Sequence, residues 1–173
     1  MVEYVDERRS TMARKNKILF VIVVLWTCVI WGMSLQPAEV SSDFSSGLFG
    51  KILRIFFPDV WGRLDEIPMA TLEMWHWIFR KFAHFTEYFI LGILWFGVLS
   101  QCETINKRIK TALICILTAL VDEMLIQRFV PGRSGQLTDV ALDSIGAVIG
   151  MFLVWSAAYV INKKMRRRDI NDL

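Results

Sequence analysis

Apolar residues along this chain fall in long unbroken runs rather than in an amphipathic repeat. Ile18 to Leu35 is eighteen residues without a charge, long enough to cross a bilayer as a helix and longer than the apolar part of a usual signal peptide. No small-residue cleavage motif follows at Ser34-Leu35-Gln36-Pro37, so the pattern predicts a retained helix. Further runs over about 82–100, 109–126 and 138–161 predict three more spans. The longest connection, 36–79, opens with Pro37 and a Ser/Gly-rich piece. Within it Leu48, Phe49, Ile52, Leu53, Ile55, Phe56 and Phe57 recur at near-helical spacing with Lys51 and Arg54 between them. That predicts a short helix lying in the membrane surface, ended by Pro58. From about Pro68 a second amphipathic piece runs through Trp75, His76 and Trp77 into the second span, its Trp pair forming an interfacial belt.

The fold expected is an all-α integral membrane protein with four transmembrane helices and one or more interfacial helices in the first outer loop. Residues 18–161 are the transmembrane domain, between a polar tail at 1–17 and a basic tail at 162–173. Lys and Arg set the orientation. The first tail, the second loop and the last tail carry five, three and five; the first connection, counted through Lys81, carries five and the third loop two. The richer side is cytoplasmic, with both ends inside, as expected in a bacterial cytoplasmic membrane.

Composition agrees. The chain has 173 residues, 54% of them hydrophobic, and seven Trp; it is the clustering of these residues that decides for a membrane protein. The net charge is only +3, and the basic residues flank apolar runs instead of forming a stripe interleaved with aromatics, which excludes nucleic acid as a partner. Cys28 and Cys115 lie in apolar runs and Cys102 in the second loop, without CxxC or His–Cys spacing. No disulfide framework or zinc motif follows from them.

The topology brings the ionisable residues of the spans to one level. Arg80, His84 and Glu87 share a face at the start of span two, with Lys81 and Tyr88 beside it. Asp122, Glu123 and Gln127 close span three, Pro131-Gly132-Arg133 follows, and Asp139 and Asp143 open span four. All lie at the expected outer face, and charge inside a membrane is costly enough to need a reason. As a catalytic site, the candidates are His84 as general acid or base, oriented by Glu87, together with Asp122 and Glu123. A divalent cation could be held by oxygens of Asp122, Glu123 and Asp139. As a binding site, Arg80, Lys81 and Arg133 would grip an anion while Gln127, Asp139, Asp143 and the other carboxylates receive the rest of a headgroup. A non-enzymatic alternative is that the cluster pairs with itself to lock helix packing, with Arg133 anchoring its loop to an Asp. Gly146 and Gly150 form a small-xxx-small pattern that calls for close helix contact. Transport is least favoured, since there is no inverted repeat and no charge deep at mid-membrane.

The motifs Ser34-Leu35-Gln36-Pro37, Arg80-Lys81-Phe82-Ala83-His84-Phe85-Thr86-Glu87-Tyr88, Asp122-Glu123-Met124-Leu125-Ile126-Gln127, Pro131-Gly132-Arg133 and Asp139 to Asp143 stand in an order and spacing that resemble the VanZ-like family of bacterial membrane proteins. The resemblance covers roughly residues 18 to 160, and agreement in several parts is more specific than one short motif. It implies a small four-span protein of the cytoplasmic membrane, often Gram-positive, in a family named for a member associated with low-level teicoplanin resistance. The family's motif positions fall on Lys81, His84, Glu87, Asp122, Glu123, Gln127, Pro131, Gly132, Arg133, Asp139 and Asp143. Where members often carry Asn shortly after the Asp of span four, this chain has Ser144. The function expected from residues and resemblance together is recognition, extending to modification, of an amphiphilic envelope molecule at the outer leaflet: a lipid headgroup, a lipid-linked precursor or a lipoglycopeptide antibiotic. The expected partners are membrane lipids and that ligand.

Overall fold

The computed structural model describes residues 2–99 and 104–171; the end of the predicted second span at Ser100 and the start of the second loop, with Cys102, lie outside them. Among the described residues there are helices and turns and no strand. The elements are α1 (Val2–Ser34), α2 (Ala38–Phe56), α3 (Pro58–Trp61), a 3₁₀ turn (Leu64–Glu66), α4 (Met69–Val98), α5 (Thr104–Val121), a π-helical turn (Asp122–Ile126), a second 3₁₀ turn (Gln127–Phe129) and α6 (Leu137–Asn171).

α1 begins far ahead of its apolar run. Its first residues are mostly charged helix formers with neither Gly nor Pro, so nothing stops the helix before Pro37. α6 extends past its run for the same reason, through the Lys- and Arg-rich tail. α2 also starts earlier than the apolar spacing implies, at Ala38 behind Pro37. Its serines are accommodated in the helix with their hydroxyls bonded to the preceding turn, Ser45 Oγ donating to the Ser41 carbonyl at 2.7 Å and Ser46 Oγ to the Ser42 carbonyl at 2.8 Å.

Two segments, Arg14–Ser34 and Leu137–Met165, have the length and apolar content to cross a membrane, with mean hydropathy 2.1 and 2.0. Their apolar side chains point largely outward, Leu25 at 61% and Val160 at 62% exposure. A soluble core helix would bury such residues; a lipid-facing helix leaves them outside. α4 and α5 are apolar as well, but carry Lys81, His84 and Glu87 in one and Lys107, Arg108 and Lys110 in the other.

The core lies among α1, α4, α5 and α6, where Val23, Ile30, Tyr88, Leu91, Cys115, Ala119, Val140 and Ala147 pack together. α4 and α6 approach most closely. A Cβ at Gly92 would strike the backbone of Ala147, and one at Gly146 or Gly150 the carbonyl of Phe85 or Phe89. Trp26 Nε1 donates to the Glu87 carbonyl at 3.0 Å and joins α1 to this pair. At the other end, Lys107 Nζ stands 3.8 Å over the Phe96 ring and Arg108 lies 5.0 Å from the Trp155 ring centroid, so basic side chains tie the start of α5 to α4 and α6.

Candidate functional site

The apolar run of span three stops being an α-helix at Val121, where the π turn begins. In a regular α-helix, neighbours such as Asp122 and Glu123 would point about 100° apart. Both are nonetheless fully buried, since the turn is packed against α1 as well as α6. Such turns occur most often at functional sites.

Gln127 is the hub that joins these acids to the following loop. Its Nε2 donates to Glu123 Oε1 at 2.5 Å and to Asp122 Oδ2 at 3.3 Å, while its Oε1 accepts from Arg133 Nη1 at 3.1 Å. Ser34, at the end of α1, donates to Asp122 Oδ2 at 3.0 Å. The backbone N–H of Gln136 donates to Glu123 Oε2 at 3.2 Å. This requires a very close loop, and Gly135 lies against the Glu123 carbonyl where a Cβ would have no room.

Arg133 reaches back the other way: its Nη2 donates to the Met33 carbonyl at 3.0 Å. That carbonyl belongs to the last turn of α1, where it accepts the Gln36 N–H at 3.3 Å and has a second lone pair open to the guanidinium. The guanidinium therefore caps α1 and does not pair with an Asp, as the sequence alone had implied. Burial first, then the charge of Arg80, lowers the pKa of Arg133, with Asp122, Glu123 and Glu87 opposing; a guanidinium keeps its proton through such shifts. The turn carrying it is closed by Arg133 N–H to the Val130 carbonyl at 3.1 Å and has Gly132 at φ 74°. Ala38 N–H donates to the Pro131 carbonyl at 3.2 Å, fastening the start of α2 to this turn.

Above the network is a cavity of about 140 Å³ between α1, α2, α4 and the loop, lined by Arg80, His84, Glu87 and Arg133 and on the α2 side by Ser41 and Phe44. Arg80 makes no hydrogen bond or ion pair with any described residue. His84 Nδ1 and Glu87 Oε2 are 3.8 Å apart, an ion-pair separation and too long for a hydrogen bond, so Glu87 does not orient the ring by direct bonding. Lys81 and Asp139 pair directly to one side, Lys81 also lying 5.6 Å from the Trp77 ring centroid.

Of the predicted residues, Arg80, His84, Glu87 and Arg133 thus face one cavity, and Asp122, Glu123, Gln127 and Arg133 form one network. Lys81 with Asp139 stand apart from both, and Asp143 hydrogen-bonds to neither although it lies close to His84 and Glu123. The cation ligand set Asp122, Glu123 and Asp139 is not assembled. Asp122 is engaged by Ser34 and Gln127, and Asp139 by Lys81. The group of ligand atoms close enough to share an ion is instead His84, Glu123 and Asp143. Ser34 and Gln136 were missed as site residues. Ser34 carried a signal, a hydroxyl closing an apolar span, whereas Gln136 acts through its backbone and carried none.

No curated protein and no solved structure matches the chain. The family comparison is positive and covers most of the chain: residues 19–161 match the model of the VanZ/LLP1 family, to which this protein belongs.

Proposed function

We propose that the cavity beside Arg80 receives the headgroup of an amphiphilic envelope molecule, in a four-span protein of the bacterial cytoplasmic membrane with both ends inside. One observation carries the binding reading. Arg80, a cation without a bonded partner among the described residues, faces a roofed cavity together with His84, Glu87 and Arg133. Buried charges ordinarily find partners within the protein. The roof, α2, turns an apolar stripe of Val40, Phe44, Leu48 and Ile55 outward, which suits a ligand with its tail in lipid and its head in water. At about 140 Å³ the cavity is below the size of a drug-binding pocket. It takes a headgroup such as a phosphate or carboxylate and leaves the rest of a lipid-linked precursor or lipoglycopeptide outside. Chemistry on the bound group would fall to His84 and Glu87.

The test is native mass spectrometry of the full chain in detergent, titrated with phosphatidylglycerol and, separately, with diacylglycerol. The phospholipid is expected to bind, and Arg80→Gln to weaken it about tenfold, the worth of one charge-assisted contact, with melting temperature unchanged. Equal binding of both lipids, or no effect of the substitution, would sink the reading.

A non-enzymatic structural role has its own support, since Asp122, Glu123, Gln127 and Arg133 are joined by hydrogen bonds among themselves. On that reading Arg80→Gln lowers the melting temperature and leaves lipid binding as it was.

Topology is checked separately in a cysteine-free background. Ser134→Cys should react with an impermeant maleimide in intact cells, and Ser10→Cys only after the membrane is opened. The reverse pattern would put the cavity on the cytoplasmic side.

A further inference from the structure

Next to the cavity lies a second group of side chains that the Gln127 network leaves out. Asp143 of α6 is fully buried, and neither carboxylate oxygen has a hydrogen-bond partner among the described residues. His84 Nδ1 is likewise buried without one. One ligand atom from each of His84, Glu123 and Asp143 lies within 4.8 Å of the other two.

The charges acting most strongly on Asp143 are the carboxylates of Glu123, Asp122, Asp139 and Glu87. The basic side chains of this region are engaged elsewhere or face the cavity: Lys81 is bonded to Asp139, Arg133 to Gln127 and Met33, and Arg80 lines the cavity. Lys81 also acts on Glu123 across space. Like charges at this depth are costly unless an opposite charge is shared between them.

We propose that His84, Glu123 and Asp143 form a binding site for one divalent transition-metal cation, held by one imidazole nitrogen and two carboxylate oxygens.

Three features support this over a self-paired cluster. The donor set mixes nitrogen with oxygen, which suits Mn²⁺, Fe²⁺ or Zn²⁺ better than the all-oxygen preference of Mg²⁺ or Ca²⁺. Two carboxylates balance the charge of one such ion. Glu123 is already oriented by amide donors, Gln127 Nε2 on one oxygen and Gln136 N–H on the other, the kind of support that holds ligating carboxylates in metal sites; each oxygen keeps a further lone pair for an ion. Bonds of 2.0 to 2.2 Å ask for side-chain adjustments of about 1 Å from the present separations. His84 is the member shared with the cavity, so the cavity is the route by which an ion would reach the site. This site does not depend on the headgroup reading, because ion binding is measured with no amphiphile added.

The experiment uses the full chain in detergent, stripped with EDTA and titrated with Mn²⁺ while free Mn²⁺ is followed by electron paramagnetic resonance. About one equivalent is expected to bind, resisting a tenfold excess of Mg²⁺. Asp143→Asn and Glu123→Gln should each weaken it by at least about tenfold, and Asp59→Asn, an exposed acid on α3, should not. His84→Ala should abolish the preference for Mn²⁺ over Mg²⁺. Absence of stoichiometric binding by the unsubstituted chain overturns the proposal whatever the variants do. So does an infrared band of a protonated carboxyl that persists at saturating Mn²⁺ and vanishes in Asp143→Asn, since Asp143 would then hold a proton instead of an ion.

Discussion

Replacing Gly150 with leucine should remove most of the folded protein, the largest effect expected of any single substitution here. At this position a Cβ would land on the carbonyl of Phe89. The same holds about one turn away, where Gly146 meets the carbonyl of Phe85 and Gly92 of α4 meets the backbone of Ala147. These neighbours are backbone and cannot rotate aside, so α4 and α6 would have to separate along their shared face. That would loosen the core cluster to which Tyr88, Leu91 and Ala147 belong. Overpacking of this kind costs about 3 kcal/mol or more, and membrane helices, whose association rests on close packing, have little to offset it. Helix propensity works in the opposite direction, favouring Leu over Gly by roughly 1 kcal/mol. A fall despite that gain is therefore attributable to the seam. By fluorescence-detected size exclusion after heating, Gly150→Leu should lose its monodisperse peak about 10 °C or more below the parent, with Gly150→Ala between. Gly32→Leu and Gly47→Leu should stay near the parent, because a Cβ at either meets nothing within 4 Å. If Gly150→Leu survives as well as Gly32→Leu, the α4–α6 contact is not as close as described.

What could be read from residues alone was the helical class and a glycine face on α6 made for close helix contact, because both show as spacing patterns along the chain; that α4 is the partner could not be read. The apolar runs average over many side chains, and the i, i+4 placement of Gly146 and Gly150 marks a face without reference to the partner helix. The details of the site depend on single departures from regular geometry, which no repeat records. Nothing in Asp122-Glu123-Met124-Leu125-Ile126 distinguishes a π turn from an α turn, or says that both acids are buried. Arg133 illustrates a second limit. Its pairing looked electrostatic, with acids nearby in sequence, but its strongest geometric claim is on the Met33 carbonyl, a backbone group one hundred residues away. The cation ligands shift for a similar reason: Asp139, the ligand expected from the sequence, is taken up by Lys81, while Asp143 is left without a hydrogen-bond partner. Family resemblance supplied the motif residues without saying which of them touch. The hub role of Gln127 and the unbonded carboxylate of Asp143 therefore belong to the three-dimensional arrangement.

Gln127→Glu, a change of one amide nitrogen for one oxygen, should destabilise the protein by about 3 kcal/mol. The Gln127 amide gives one hydrogen to Glu123 and one to Asp122 while its carbonyl accepts from Arg133. An ionised Glu in its place offers no hydrogen and brings a third negative charge within bonding distance of two buried carboxylates. A protonated Glu can donate to only one of them. Either way a buried acid loses one of its donors, Asp122 keeping Ser34 and Glu123 the Gln136 N–H, a loss of roughly 1 to 3 kcal/mol, and repulsion among desolvated like charges adds to it. A charged pair with Arg133 would recover part of the cost, though that guanidinium already serves the Met33 carbonyl. Gln136→Glu is the matching control. Its side chain is exposed and only its backbone N–H serves Glu123, so the same added charge should change stability by less than about 0.5 kcal/mol. Thermal unfolding of both variants in one detergent makes the comparison. Equal stability of Gln127→Glu and the parent would mean that Asp122 and Glu123 carry their own protons and never needed the amide. The network would then be a chain of neutral hydrogen bonds, and the acids beside His84 would be unsuited to holding a cation.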